Sequence, residues 1–85
     1  MSRLFGHYSL CNCLHKLRFK PQPQIASRHV KFIVPDGHKV PVGSRPFIIV
    51  IYNKKQYDKH TCSRYITEIA RLGFDRNKVK KLLEE

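Results

Sequence analysis

The spacing of hydrophobic residues predicts strands in the middle of this chain. Residues 30–34 (VKFIV) alternate in the period of a strand with one mainly apolar face. Residues 47–52 (FIIVIY) form a continuous, largely β-branched run, which is typical of a central strand buried on both faces. Residues 35–37 (PDG) predict a turn between them, and we expect residues 38–42 to return as a short edge strand.

Spacings of three and four residues predict two helices in the last third of the chain. The first would begin at Asp58 or Thr61 and end before Gly73, with an inner face of Tyr65, Ile66, Ile69 and Leu72. The second would run to Glu85 from an N-cap at Asp75, with Val79, Leu82 and Leu83 facing inward. The order of elements predicts a small α+β fold: a three-stranded, mainly antiparallel sheet followed by two C-terminal helices.

The N-terminal segment predicts a basic amphipathic arm. Its apolar residues recur at helical spacing: Leu4, Tyr8, Cys11, Leu14 and Leu17. The sequence KPQPQ at residues 20–24 predicts an extended linker. We therefore expect an arm and linker over residues 1–27 and a folded domain over residues 28–85.

Charge is the strongest indication of function. The chain has 17 Lys and Arg against 6 Asp and Glu, a net charge of +11, and its first acid is Asp36. This imbalance predicts a polyanionic partner, either nucleic acid or an acidic membrane surface. Three cysteines argue against a secreted disulfide framework, and the longest apolar run falls far short of the ~20 residues that a transmembrane helix needs.

The composition of the arm also predicts a location. A basic, Ser-containing, acid-free amphipathic segment is typical of a mitochondrial transit peptide. We expect an import signal that is not removed, and therefore a protein of the mitochondrial matrix. The alternative is an ordinary surface helix of a cytosolic protein.

Basic residues interleaved with an aromatic residue predict an RNA-binding surface. In residues 54–60 (KKQYDKH), cations can neutralise phosphates and Tyr57 can stack on an exposed base. No signature of a base-reading domain accompanies them, so we expect contacts to the RNA backbone. The full candidate set is Lys16, Arg18, Lys20, Arg28, Arg45, Lys54, Lys55, Tyr57, Lys59, Arg76, Lys78, Lys80 and Lys81.

The sequence also offers soft metal ligands. Cys11, Cys13, His60 and Cys62 have the inventory of a tetrahedral zinc site, although the first pair is separated by a single residue. The other interpretation is small apolar cysteines, and the sequence leaves the choice open. Cys62 with His60 lacks a third, orienting group for nucleophilic catalysis, so we expect neither an enzyme nor a bound cofactor or metal.

Together these features predict a structural constituent of a mitochondrial ribosome. Its partners would be ribosomal RNA and neighbouring ribosomal proteins, with no small-molecule substrate and no transmembrane segment. The alternative is an accessory subunit of a respiratory complex of the inner membrane, bound to anionic lipid through Leu4, Phe5, Leu14 and Leu17. A small viral or DNA-binding regulator is a third possibility.

Overall fold

A three-stranded sheet and three helices form the part of the chain that the computed structural model describes, residues 4–22 and 28–84. In chain order the elements are α1 (His7–Lys16), β1 (Lys20–Gln22), β2 (His29–Ile33), β3 (Phe47–Ile51), α2 (Lys59–Arg71) and α3 (Arg76–Leu83). The strands lie in the order β1-β2-β3 and both pairs are antiparallel. The predicted α+β fold, a three-stranded antiparallel sheet followed by two C-terminal helices, is therefore confirmed.

The sheet takes its third strand from the segment that we expected to be a linker. Lys20 pairs with Ile33 and Gln22 with Lys31, so β1 extends the sheet on the outer side of β2. Pro21 fits there because an edge strand tolerates a residue without an amide hydrogen. The remainder of the expected linker, residues 23–27, lies outside the described residues.

The prediction of a strand at residues 38–42 is wrong. This segment is held by side-chain contacts and not by strand pairing. The imidazole ring of His38 stacks on the ring of Phe74, with centroids 4.4 Å apart, and its Nε2 hydrogen-bonds the carbonyl oxygen of Leu72. These contacts tie the connection between β2 and β3 to the turn that joins α2 and α3.

The prediction that β3 is a central strand was also wrong, since β3 lies at an edge of the sheet. Ile48 and Val50 are buried in the core, whereas Phe47, Ile49 and Ile51 on the other face are only partly buried. A run of apolar residues indicates burial of both faces. Here one face is left half open.

Both C-terminal helices begin where their capping residues predicted. The Asp58 side chain accepts a hydrogen bond from the Thr61 amide at 2.7 Å, and the Asp75 side chain accepts one from the Lys78 amide at 3.3 Å. Helix α2 ends before Gly73, whose φ of 102° is the left-handed conformation that glycine adopts without strain. The predicted inner faces are buried or partly buried, and α3 ends slightly earlier than expected, at Leu83.

Helix α1 packs into the same core as the sheet. Of the predicted stripe, Leu14 and the C-cap Leu17 are buried and Cys11 is partly buried, whereas Leu4 and Tyr8 are exposed, and the helix buries Leu10 and Cys13 in their place. Leu4 precedes the helix and Tyr8 is 80% exposed. The reason is that two overlapping helical spacings run through this segment, and contact with α3 and β3 selects the one centred on Leu10 and Leu14.

The segment before α1 is docked on the loop that follows β3. The His7 amide donates to the Lys54 carbonyl oxygen at 2.9 Å, and the Tyr57 amide donates to the Phe5 carbonyl oxygen at 2.8 Å. Residues 5–19 supply six of the eighteen buried apolar side chains of the described residues. Residues on both sides of the expected boundary after residue 27 therefore contribute to one hydrophobic core, and the boundary itself stays a prediction.

Candidate nucleic-acid interface

Three of the six acidic side chains of this protein make local contacts. Asp58 and Asp75 cap helices, and Asp36 Oδ2 lies 2.7 Å from Lys20 Nζ in an exposed ion pair. The hydrogen bond from Lys20, reinforced by its positive charge, holds the pKa of Asp36 below its ordinary value. With 17 Lys and Arg against 6 Asp and Glu, the chain carries a net positive charge of +11.

Several predicted cations lie on the layer formed by the three helices, in which α3 packs on both α1 and α2. Helix α3 carries Arg76, Lys78, Lys80 and Lys81, of which all but Lys80 are exposed. The Arg76 guanidinium donates to the Thr67 hydroxyl at 3.2 Å, which anchors it against α2. Since α3 packs on α1, the exposed Lys16 and Arg18 at the end of α1 belong to the same layer.

The loop between β3 and α2 keeps its cations at the surface but not its aromatic residue. Lys54, Lys55 and Lys59 are exposed. Tyr57 is only 3% exposed, its hydroxyl donates to the Ile51 carbonyl oxygen at 2.6 Å, and its ring packs edge-on against Phe5. The prediction that Tyr57 stacks on a base is therefore wrong for this fold, because the ring has no exposed face to offer.

Two further predicted cations lie near the sheet. Arg28 is exposed just before β2, and its carbonyl oxygen accepts a hydrogen bond from the Tyr52 amide at 2.7 Å. Arg45 is exposed in the turn before β3. The structure thus distributes the predicted set over the helical layer, the loop after β3 and the ends of the strands, and does not gather it into one patch.

A groove runs between β3 and α2, with a volume of about 570 Å³. We call it the β3–α2 groove. Its floor is the half-open face of β3, its wall is α2 and one end is the turn at residues 43–45. Its lining includes His29, Arg45, Ile49, Arg64, Glu68 and Arg71.

Sequence reasoning missed most of this groove. Only Arg45 belongs to the predicted set. Arg64, Glu68 and Arg71 recur at helical spacing opposite the inner face of α2, which was a readable signal. Their approach to β3 depends on how α2 packs, and no local pattern encodes that.

The free edge of β3 is closed by tyrosine hydroxyls. Tyr65 Oη accepts from the Ile51 amide at 3.2 Å and donates to the Ile49 carbonyl oxygen at 2.8 Å. Burial raises the pKa of both Tyr57 and Tyr65 above the ordinary value. These phenols stay neutral and serve as hydrogen-bonding groups, so they give the site no acid or base near neutral pH.

Two of the cysteines contact backbone carbonyl oxygens or a tyrosine hydroxyl. Cys62 is buried, with its Sγ 3.6 Å from the carbonyl oxygens of Phe5 and Tyr57. Cys11 Sγ lies 3.6 Å from the Tyr52 hydroxyl, and burial raises the pKa of the Cys11 thiol. Over residues 4–22 and 28–84, no three His, Cys, Asp or Glu side chains converge to hold a metal ion. The zinc site suggested by Cys11, Cys13, His60 and Cys62 therefore has no support in their arrangement.

Within the described ranges, no helix is both long and apolar enough to span a bilayer. Comparisons of the chain with protein-family models, curated proteins and solved structures found no match.

Proposed function

We propose that this protein is a structural, RNA-binding component of a ribonucleoprotein, specifically a constituent of a mitochondrial ribosome. In this role it contacts the phosphate backbone of ribosomal RNA and the surfaces of neighbouring ribosomal proteins, and it catalyses no reaction. The observation that carries the proposal is the net charge of +11 on a small domain in which three of the six acids are held in helix caps or an ion pair.

The physical basis is the release of counterions from RNA. Each phosphate that a Lys or Arg neutralises frees a condensed cation, so that binding weakens steeply as salt rises. A surface on which cations are spread over several sides suits a protein that fills the space between RNA segments. Such a protein relieves repulsion among phosphates that lie close together, and this is the bracing role that we assign to it.

The mitochondrial location is supported by the basic, acid-free N-terminal segment. Helix α1 and the residues that flank it contribute Phe5, Leu10, Leu14 and Phe19 to the core. Removal of this segment after import would take those side chains away. An import signal that stays on the mature protein is therefore the form of the proposal that agrees with the packing.

The alternative membrane role draws less support from the fold. It needs Phe5, Leu14 and Leu17 to contact lipid, whereas all three are buried, at 5%, 0% and 6% exposure. Leu4 alone of the four proposed lipid contacts is exposed. To insert the apolar face of α1 into a membrane, the protein would have to open its core.

Binding to a structured ribosomal RNA fragment, measured by fluorescence anisotropy across a salt series, tests the proposal. Between 50 and 200 mM salt, we expect affinity to fall roughly 10³-fold or more if about six or more phosphates are contacted. Replacing Lys78, Lys80 and Lys81 by Gln should reduce the slope of log affinity against log salt by up to about 3, since each phosphate contact contributes about 0.9. The matched control changes the same three residues to Arg, which keeps the charge and should keep the slope.

Absent binding at low salt, or binding that salt does not weaken, would refute the RNA-binding proposal. The cellular setting needs a separate measurement, namely co-sedimentation of the endogenous protein with mitochondrial ribosomes after detergent treatment. We expect it in the ribosomal fraction and expect nuclease to release it. Recovery as a free cytosolic monomer, or in a detergent-solubilised membrane complex, would contradict the assignment.

A further inference from the structure

The β3–α2 groove has the dimensions and lining of a ligand site. Its volume of about 570 Å³ lies within the range of about 300–1,000 Å³ that is common for small-molecule pockets. The floor is apolar, formed by Phe47, Ile49 and Ile51, and all three remain partly exposed. A strip of apolar surface beside charged side chains indicates that the ligand has both an apolar and a charged part.

A peptide strand cannot occupy the groove by extending the sheet at Ile49 and Ile51. Strand addition requires free backbone amides and carbonyls at a sheet edge. At β3 the Ile51 amide and the Ile49 carbonyl are hydrogen-bonded to the Tyr65 hydroxyl, and the Ile51 carbonyl accepts from Tyr57. The ligand must therefore bind through the face of β3 and the side chains of α2.

The charges that line the groove favour a phosphate-bearing ligand. Arg64 and Arg71 are exposed on α2, seven residues apart, which separates them by about 10 Å along the helix axis. Arg45 adds a third guanidinium from the turn before β3, while Glu68 is the one acid among the lining residues. Guanidinium groups bind phosphate oxygens in a bidentate manner, and three of them outweigh one carboxylate.

Building on the proposed RNA-binding function, we propose that the β3–α2 groove binds an unpaired nucleotide of RNA. The base lies on Ile49 and Ile51, and the adjoining phosphates bind Arg64 and Arg71. His29 pairs in register with Ile51 and also lines the groove. A carboxylate accepts hydrogen bonds from exocyclic amino groups, so Glu68 favours bases that carry one.

The test compares three hairpin RNAs of equal length by fluorescence anisotropy. One has an unpaired bulge, the second has the same bulge with abasic sugars, and the third is fully paired. Stacking of a base is worth about 1–3 kcal/mol, so we expect the wild-type protein to prefer the intact bulge about 5-fold or more over the other two RNAs.

Two double variants test whether the preference for the bulge arises in the groove. Arg64→Gln with Arg71→Gln removes two charges from the groove and should abolish the preference for the bulge. Lys78→Gln with Lys81→Gln removes two charges from α3 and should weaken binding to all three RNAs by a common factor. Circular dichroism of each variant confirms that it is folded.

The outcomes separate this inference from the proposed function. If wild-type protein binds all three RNAs equally, or if the groove variant keeps the preference for the bulge, the groove assignment is overturned while general RNA binding stands. If no RNA binds, both proposals fail. Methyl NMR signals of Ile49 and Ile51 provide an independent check: a shift with vesicles of anionic lipid and none with bulged RNA would identify a lipid ligand and overturn the inference.

Discussion

Replacement of Gly6 by Ala gives the most direct test of whether the N-terminal segment belongs to the folded domain. Gly6 has an extended backbone with φ of −112°, which alanine also adopts, so conformational strain is absent. A Cβ atom at this position would lie 2.7 Å from the Lys54 carbonyl oxygen and closer still to the carbonyl group of Lys55. The backbone of residues 54–55 therefore leaves no room for a methyl group.

The size of the destabilisation follows from the contacts that the new methyl group would break. Two backbone hydrogen bonds flank the contact, from His7 to Lys54 and from Tyr57 to Phe5, and each contributes about 0.5–1.5 kcal/mol net. Overpacking of a tight contact costs about 1–3 kcal/mol. We expect Gly6→Ala to lower the free energy of unfolding by about 2–4 kcal/mol, from a total of about 4–13 kcal/mol for a domain of 85 residues. The midpoint of thermal unfolding then falls by roughly 10–30 °C.

Urea and thermal unfolding followed by circular dichroism measure this difference. The matched control is Asn12→Ala, an exposed position on α1, which should leave stability unchanged or raise it because alanine favours helix. The two views of the N-terminal segment predict different signs for Gly6→Ala. A loose arm would gain from alanine, or change by less than about 0.5 kcal/mol, and that result would refute the docking of residues 5–7 on the loop after β3.

Three further predictions concern the closed edge of β3 and the pH limits of the fold. Tyr65→Phe removes a hydroxyl that serves two backbone groups and should cost about 1–3 kcal/mol in urea unfolding, whereas Tyr8→Phe at an exposed position should cost nothing measurable. Contact with Cys11 and burial raise the pKa of Tyr52 to about 12, and burial raises the pKa of Tyr57. Because unfolded tyrosines ionise near pH 10, the free energy of unfolding should be constant below pH 10 and fall above it. The fall should be less steep in Tyr57→Phe. A backbone hydrogen bond from Thr61 lowers the pKa of Asp58. The Asp58 carboxylate therefore stabilises the fold above pH about 4, and this contribution is lost as acid protonates the carboxylate. Asp58→Asn still caps α2, so its midpoint temperature should fall less than that of the wild type between pH 5 and pH 2.

The sequence predicted elements whose signals are local. Asp58 and Asp75 cap helices, and Gly73 ends one, because a capping side chain or a glycine acts on the turn where it lies. Strand β1 was missed because a Lys-Pro-Gln tripeptide forms a strand only when another strand supplies its hydrogen-bond partners, in this case Lys31 to Ile33 of β2. The segment at residues 38–42 looked like a strand for the converse reason, since its alternation is local but its partners are absent among the described residues.

The sequence predicted the charge of the candidate site but not its shape. Exposure of Lys54, Lys55 and Lys59 follows from their type, because a lysine is rarely buried without a partner. The burial of Tyr57 depends on long-range packing, because Phe5 and the edge of β3 lie against its side chain. The β3–α2 groove likewise exists only because α2 packs beside the half-open face of β3.

The packing of α1 determines how one basic segment can serve both import and RNA binding in the proposed function. Its apolar side chains at Leu10, Leu14 and Leu17 can be read as an amphipathic signal only while the chain is unfolded, because folding buries them. Its cations at Lys16 and Arg18 stay on the surface afterwards. Import through a translocase requires the unfolded chain, and binding to RNA uses the folded one, so the two roles follow each other in time. The segment can then be kept, since its removal would take away a third of the buried apolar side chains among the described residues.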